Sequence, residues 1–225
     1  MLYSILQSNG QMSFIELVLL LVSYAALILV QLPVHEFAHA WAAVRLGDST
    51  PRWHGRLSLN PLRHLDLWGT VLIVLFGFGY ARPVPVNPRN FSNPKRDMAL
   101  TALAGPASNL LMALLSLVLF RVVLLVTDSI TVAVIARIVL VNVFASVNLS
   151  LAVFNLLPIP PLDGYRIFGA LLPARWTFYM DQYHQYFRLG IILLIATGAL
   201  STPLRFLIGF FGNLLCTIVG LPRFF

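Results

Sequence analysis

Long apolar runs, separated by polar segments rich in Pro, Gly and Arg, dominate the pattern of this chain. A helix needs about 20 predominantly apolar residues to cross a bilayer. Runs at 14–33, 99–126 and 132–157 meet that length, and a shorter pair follows at 189–200 and 204–221. The pattern therefore predicts an all-α polytopic membrane protein with four to five transmembrane helices.

The helical pattern of the first run continues past the apolar stretch, through His39 to Leu46. Gly47 is a typical helix C-terminal signal, and Pro33 predicts a kink just before the polar end. Such a helix would have about 30 residues and a length of about 45 Å. Its last turns are therefore expected near or beyond the membrane border.

The segment between the first two long runs is rich in breakers. About ten apolar residues precede Gly77 and Gly79, which is too short for a span and favours a re-entrant or interfacial element. Alternation in "RWHGRLSLN", at 52–60, is a weak strand signal. We expect a re-entrant or β-like segment near the cytoplasmic face, with 53–79 as a candidate for substrate contact.

Composition confirms the membrane class and changes how the charge is interpreted. The 225 residues are 59% hydrophobic and 10% charged, whereas a soluble domain carries about 25% charged residues. We expect a single integral-membrane domain over residues 1–225, embedded in a lipid bilayer. The single cysteine, Cys216, excludes an internal disulfide and is expected to be a small buried hydrophobe.

The net charge of +7 indicates topology rather than nucleic-acid binding. The first 44 residues contain no Lys or Arg, whereas 45–96 contains eight of the fifteen. Because Lys and Arg collect in cytoplasmic loops, the first span is predicted to run inward. The polar ends of the first and third long runs then meet on the cytoplasmic side.

The sequence His35-Glu36-Phe37-Ala38-His39 has the form H-E-x-x-H. Residues four apart share one helix face, so two imidazoles can bind one tetrahedral metal ion. Glu36 is then placed to act as the general base on a water whose pKa Zn²⁺ lowers to about 7. A chance match is the alternative, but three ionisable groups in an apolar helix need a compensating partner.

A hydrolytic zinc site usually has three protein ligands and one open position. Asp163, in "PIPPLDGYRIF", is the candidate third ligand because it follows another span at the same predicted depth. Taken alone, Asp-Gly after prolines indicates a plain turn. Two other functions remain open at this point: a metal transporter with the same ligands, and a protease-like scaffold without activity.

"HEFAH" on one span and "NLLPIPPLDG" after a later one, with "AGPASN" between them, resemble the site-2 protease family of intramembrane zinc metalloproteases (peptidase family M50). The order and spacing are similar to its compact prokaryotic branch without PDZ or CBS domains. The resemblance covers about residues 14 to 200.

The resemblance implies one Zn²⁺ bound by His35, His39 and Asp163, with Glu36 as the base. It also implies that Asn155 steadies the tetrahedral intermediate, although an asparagine there could equally cap a helix. Single-pass membrane proteins would be the substrates, cleaved near the cytoplasmic side of a bacterial inner membrane. Gly105 and Asn109 are expected to support the metal helix by close packing and hydrogen bonding, while the oligomeric state stays open.

Overall fold

A computed structural model of the protein describes residues 14–76 and 79–225. The helices in chain order are α1 (Phe14–Ala26), α2 (Leu32–Arg45), α3 (Thr50–Trp53), α4 (Leu67–Phe76), α5 (Pro94–Val126), α6 (Ile130–Ala136), α7 (Ser146–Asn155), α8 (Asp163–Gly169), α9 (Ala174–Gln182), α10 (His184–Ala196) and α11 (Ser201–Val219). Short 3₁₀ turns lie at Pro61–Arg63 and Pro88–Asn90.

Within the described residues, four helical stretches are long and apolar enough to cross a membrane: Leu17–Arg45, Pro94–Val126, Ile130–Asn155 and Ser201–Val219. These confirm the all-α polytopic fold and the lower of the two expected span counts. The apolar run at 189–200 begins in α10, which ends at Ala196, and the 13 residues of α10 are too few to cross a bilayer.

The first span contains a π-helical turn, Leu27–Gln31, directly before α2. Pro33 has no N–H to donate, so the regular ladder cannot continue through it. The N–H of Leu32 instead bonds the carbonyl of Leu27, five residues back. A π-turn thus lies directly before α2, while the kink expected at Pro33 stays a prediction. Gly47, with φ of +112°, follows the end of α2 as predicted.

The long helix α5 has a well-defined start. The Asn93 side chain accepts a hydrogen bond from the Arg96 N–H, and Asp97 accepts one from the Asn93 N–H. Pro94 occupies the first turn, where a missing N–H costs nothing. This reciprocal cap fixes the residue at which α5 begins. It thereby sets the position along the helix axis of Thr101 and Asn109, which face the candidate site.

The core of the bundle lies between α5, the third span and α11. Its buried members are Ala113, Leu117, Phe120, Val141, Ala145, Leu149, Cys216 and Leu221. Cys216 is a free, fully buried thiol, which confirms its expected role as a small hydrophobe. The α2 and α5 helices run antiparallel, because His35 meets Asn109 while His39 meets Thr101.

The expected strand in "RWHGRLSLN" is wrong: no strand occurs in the part of the chain that the structure describes. Gly55 has a φ of +66°, and the Asn60 side chain accepts from the Leu62 N–H to start a 3₁₀ turn, so turns interrupt the alternation. The apolar residues before Gly77, expected to form a re-entrant or interfacial element, form the short helix α4. Residues 77 and 78 lie outside the described residues, so the predicted break at Gly77 is not described.

Candidate metal centre

Three side chains from two distant parts of the chain converge on one point. The Nε2 atoms of His35 and His39 lie 3.1 Å apart on α2. The Oδ2 atom of Asp163, the first residue of α8, lies 3.2 Å from the first and 3.3 Å from the second. Among the described residues, these three form a group that could hold a metal ion.

The hydrogen bonds on the far side of each imidazole decide which nitrogen is free. His35 Nδ1 lies 3.1 Å from Asn109 Oδ1, and His39 Nδ1 lies 2.7 Å from the Thr101 carbonyl oxygen. Both partners are acceptors, so each Nδ1 carries the proton and donates it. The two Nε2 atoms then present lone pairs to each other and to the Asp163 carboxylate.

Three facing lone pairs repel one another unless a cation lies between them. Three ligands of a tetrahedral zinc ion, each about 2.0 Å from the metal, are about 3.3 Å from one another. The observed triangle of 3.1, 3.2 and 3.3 Å has that size. The buried Oδ2 of Asp163 also has no hydrogen-bond donor within the described residues. The donor set therefore fits a tetrahedral metal with three protein ligands.

The charge state of Asp163 suits a ligand. Burial alone would raise the pKa of this carboxyl, but its interactions with His39 and His35 hold the pKa well below its usual range. The group is therefore an anion at neutral pH, which is the form that binds metals. The Asp163 side chain is 19% exposed, against 6% for His35, so solvent approaches the triangle from the carboxylate side.

Two glycines allow the elements to approach closely. A Cβ atom at Gly105 would lie 2.4 Å from His39 Nε2 and 2.6 Å from His35 Cε1. The expected close packing of Gly105 against the metal helix is thus observed. A Cβ at Gly164 would lie 2.3 Å from the carbonyl oxygens of Leu156 and Leu157, so the Asp-Gly pair sits on a tightly folded turn.

Glu36 lies beside His35 on α2 and is half-buried. Among the described residues, the Glu36 carboxylate forms no hydrogen bond and no ion pair. It is close enough to His39 and Arg56 to interact electrostatically with both. The structure thus places Glu36 next to the ligand pair with its oxygens unengaged. Its assignment as a base stays a prediction.

Asn155 is the last residue of α7, and its Nδ2 donates to the Leu151 carbonyl oxygen at 3.0 Å. The amide is thus bonded to its own helix, four residues back, and among the described residues no hydrogen bond joins it to the ligand triangle. To bond a developing oxyanion, it would have to release that carbonyl. The predicted role of Asn155 in the intermediate remains a prediction.

The sequence did not identify Asp48 as a buried acid that connects the two chain segments next to the metal helix. Asp48 is fully buried and accepts hydrogen bonds from the Thr50 N–H and hydroxyl, the Asn87 N–H and the Asn90 amide. Burial alone would raise the pKa of Asp48, but these hydrogen bonds lower it below its ordinary value. The carboxylate ties the chain that leaves α2 to the chain that enters α5.

The other histidines form no second metal group within the described residues. His54 is exposed and faces the Thr50 carbonyl. His64 is fully buried, and its Nε2 lies 2.6 Å from the Ser58 carbonyl oxygen.

The fold and the site define a class: an integral membrane protein with a group of two His and one Asp that could hold a metal ion, the number of protein ligands found in hydrolytic zinc sites. The model of peptidase family M50 matches residues 23–197, and the chain belongs to that family. It is 41% identical to "Putative zinc metalloprotease YwhC" of Bacillus subtilis over 173 residues, 76% of this chain and 78% of that protein.

It is also 38% identical over 150 residues to "Putative zinc metalloprotease Rip2" of Mycolicibacterium smegmatis, covering 64% of this chain and 54% of that protein. The chain thus spans about half the length of the Rip2 relatives, but most of YwhC. No solved structure matches it significantly. The protein is a zinc metalloprotease of the membrane, as the sequence predicted.

Proposed function

We propose that the protein hydrolyses peptide bonds of single-pass membrane proteins, with Glu36 as the general base. The observation that carries this proposal is the position of the ligand triangle at the ends of three membrane spans. His39 lies near the end of the first span, Thr101 near the start of the second, and Asp163 shortly after the third. A substrate segment leaving the bilayer would meet the centre at this level.

His35, His39 and Asp163 would hold the zinc ion through Nε2, Nε2 and Oδ2. When bound, Zn²⁺ supplies Lewis acidity, lowering the pKa of water and polarising a carbonyl. Asn109 and the Thr101 carbonyl keep both imidazoles in the tautomer that leaves Nε2 free. This protein scaffold fixes the geometry before substrate arrives.

Glu36 would move the proton in this reaction. Its carboxylate accepts one proton from the attacking water and later donates it to the nitrogen of the leaving amine. One peptide bond and one water thus give a carboxylic acid and an amine, which become a carboxylate and an ammonium group at neutral pH, and Glu36 returns to its starting state. Asn155, once released from the Leu151 carbonyl, would donate to the developing oxyanion.

The charge distribution supports a cytoplasmic location of the site. Eight of the fifteen Lys and Arg residues fall in 45–96, and Arg166, Arg175 and Arg188 follow the third span. Segment 45–96 joins the end of the first span, which carries His35 and His39, to the start of the second, and Arg166 lies in the helix that Asp163 begins. By the positive-inside rule this end faces the cytoplasm, in our proposal that of a bacterial cell.

The substitution Glu36→Gln tests the proposal. The full chain, purified in detergent and loaded with zinc, should retain one zinc per chain but lose cleavage of single-pass membrane substrates. His39→Ala is the matched control, because it should lose both the metal and the activity. Retained cleavage by the zinc-loaded Glu36→Gln variant would refute the role of Glu36.

The same substitution, made in cells, can identify the substrates. A membrane proteome from cells with the Glu36→Gln variant should accumulate uncleaved single-pass proteins relative to wild type. Accumulation of soluble proteins alone would contradict the membrane-substrate part of the proposal, while leaving the metalloprotease assignment intact.

A further inference from the structure

A cavity of about 380 Å³ lies between the chain segments that connect α2 to α5, and none of the three candidate metal ligands lines it. Three arginines, Arg56, Arg63 and Arg82, line it together with His54. Leu62 and two prolines complete the wall. A cavity with this lining concentrates positive charge in a small volume.

No carboxylate neutralises these arginines within the described residues. The ion pairs found there involve only the metal-site histidines and Asp163. Asp66 is engaged by the Gly69 N–H, and the Glu36 charge reaches Arg56 without forming an ion pair. Burial, and next the positive charge of Arg82, lower the pKa of Arg56. An anion in the cavity would offset the repulsion between Arg56 and Arg82.

Arg56 is held in place by its own hydrogen bonds, whereas Arg63 and Arg82 are exposed at the mouth of the cavity. Arg56 is only 8% exposed, and its guanidinium donates to the carbonyl oxygens of Arg63 and Arg82. The Arg82 N–H donates to the His64 carbonyl at 2.8 Å, which joins the two walls. The Arg63 guanidinium packs so closely over Gly55 that a Cβ there would lie 3.1 Å from it.

We propose that this cavity binds a phosphate group through Arg56, Arg63 and Arg82. Guanidinium groups match phosphate oxygens with paired, charge-assisted hydrogen bonds. Trp53, Leu62 and Trp68, which lie in the same connecting segment, are largely exposed, as expected of side chains that anchor in a membrane interface. The phosphate can come from an anionic phospholipid headgroup or from a free phosphate ion, and the two sources are distinguished below.

The test uses the full chain in a neutral detergent and follows thermal unfolding. Dihexanoyl-phosphatidylglycerol, dihexanoyl-phosphatidylcholine and inorganic phosphate at matched ionic strength are titrated separately. We expect phosphatidylglycerol to raise the unfolding midpoint more than phosphatidylcholine. The double variant Arg63→Gln/Arg82→Gln should weaken that binding at least about tenfold.

Arg89→Gln is the matched control, because Arg89 is an exposed arginine of the same connecting segment but does not line the cavity. It should leave the affinity unchanged. If inorganic phosphate alone reproduces the shift in an Arg63- and Arg82-dependent way, the source is a free phosphate ion. If Arg89→Gln weakens binding as much as the double variant, or no probe depends on Arg63 and Arg82, the proposal is overturned.

Discussion

Asn109 Oδ1 lies 3.1 Å from His35 Nδ1, across the interface between the second and first spans. Both side chains are buried. The amide therefore fixes the tautomer and the ring orientation of a metal ligand from a helix 74 residues away in sequence.

Replacing Asn109 by Leu should weaken zinc binding about 10- to 100-fold, because the imidazole loses the acceptor that holds its proton on Nδ1. Competition with a fluorescent chelator measures the affinity. Asn109→Asp keeps an acceptor oxygen at the same place and should bind zinc at least as well as wild type. An Asn109→Leu protein with wild-type zinc affinity would show that the contact does not support the ligand.

Gly105→Ala should prevent stoichiometric zinc binding. The new methyl group would lie 2.4 to 2.6 Å from atoms of His39 and His35, so the rings or the two helices must move apart. Zinc content per folded chain is the measurement. Gly190→Ala is the matched control, since nothing lies within 4 Å of a Cβ there, and it should bind zinc normally.

Residue types with a clear chemical role could be found from sequence alone. His35, His39 and Asp163 were selected by their spacing and by the depth of two separate spans, and the structure brings them together. The resemblance to a known family also singled out Gly105 and Asn109, and both face the ligand histidines. These residues could be found because they belong to short motifs whose residue types have a direct chemical or steric role at the site.

Other parts of the site left no usable signal. His39 Nδ1 donates to the backbone carbonyl oxygen of Thr101, and any residue type at position 101 would provide the same acceptor. Asp48 belongs to a basic loop in sequence, and its partners Asn87 and Asn90 lie 39 and 42 residues away. Only the folded structure shows that the Asp48 carboxylate connects the start of this loop, after α2, to its end, before α5. The weak strand pattern at 52–60 failed for a related reason, because turns at Gly55 and Asn60 override local alternation.

Asp48→Asn should lower the free energy of unfolding by about 2 kcal/mol, since hydrogen bonds to a buried carboxylate are lost or weakened. The folded-state pKa of Asp48 is depressed, so its contribution is fully present above the unfolded pKa of about 3.9 and is lost as pH falls through the folded pKa. The difference from wild type should therefore stay constant between about pH 5 and pH 8.

Denaturant or thermal unfolding at several pH values measures this difference. Asp66→Asn provides a comparison, because the side chain of Asp66 accepts a single hydrogen bond, from the Gly69 N–H. It should cost less than Asp48→Asn. A difference for Asp48→Asn that shrinks steadily between about pH 8 and pH 5 would contradict the depressed pKa of this group.

Asn155 and Asn148 offer a matched pair for separating catalysis from stability. Both lie on α7, and each donates its Nδ2 to the carbonyl four residues earlier, at 3.0 Å and 2.9 Å. If Asn155 stabilises the oxyanion, Asn155→Ala should reduce kcat by about 100- to 1,000-fold, with KM and zinc content little changed. Asn148→Ala removes the same local hydrogen bond and should lower stability while leaving the kcat of the zinc-loaded, folded enzyme intact. Equal effects of the two substitutions on kcat would reduce Asn155 to a helix-supporting residue, because the only property they share is the bond to their own helix.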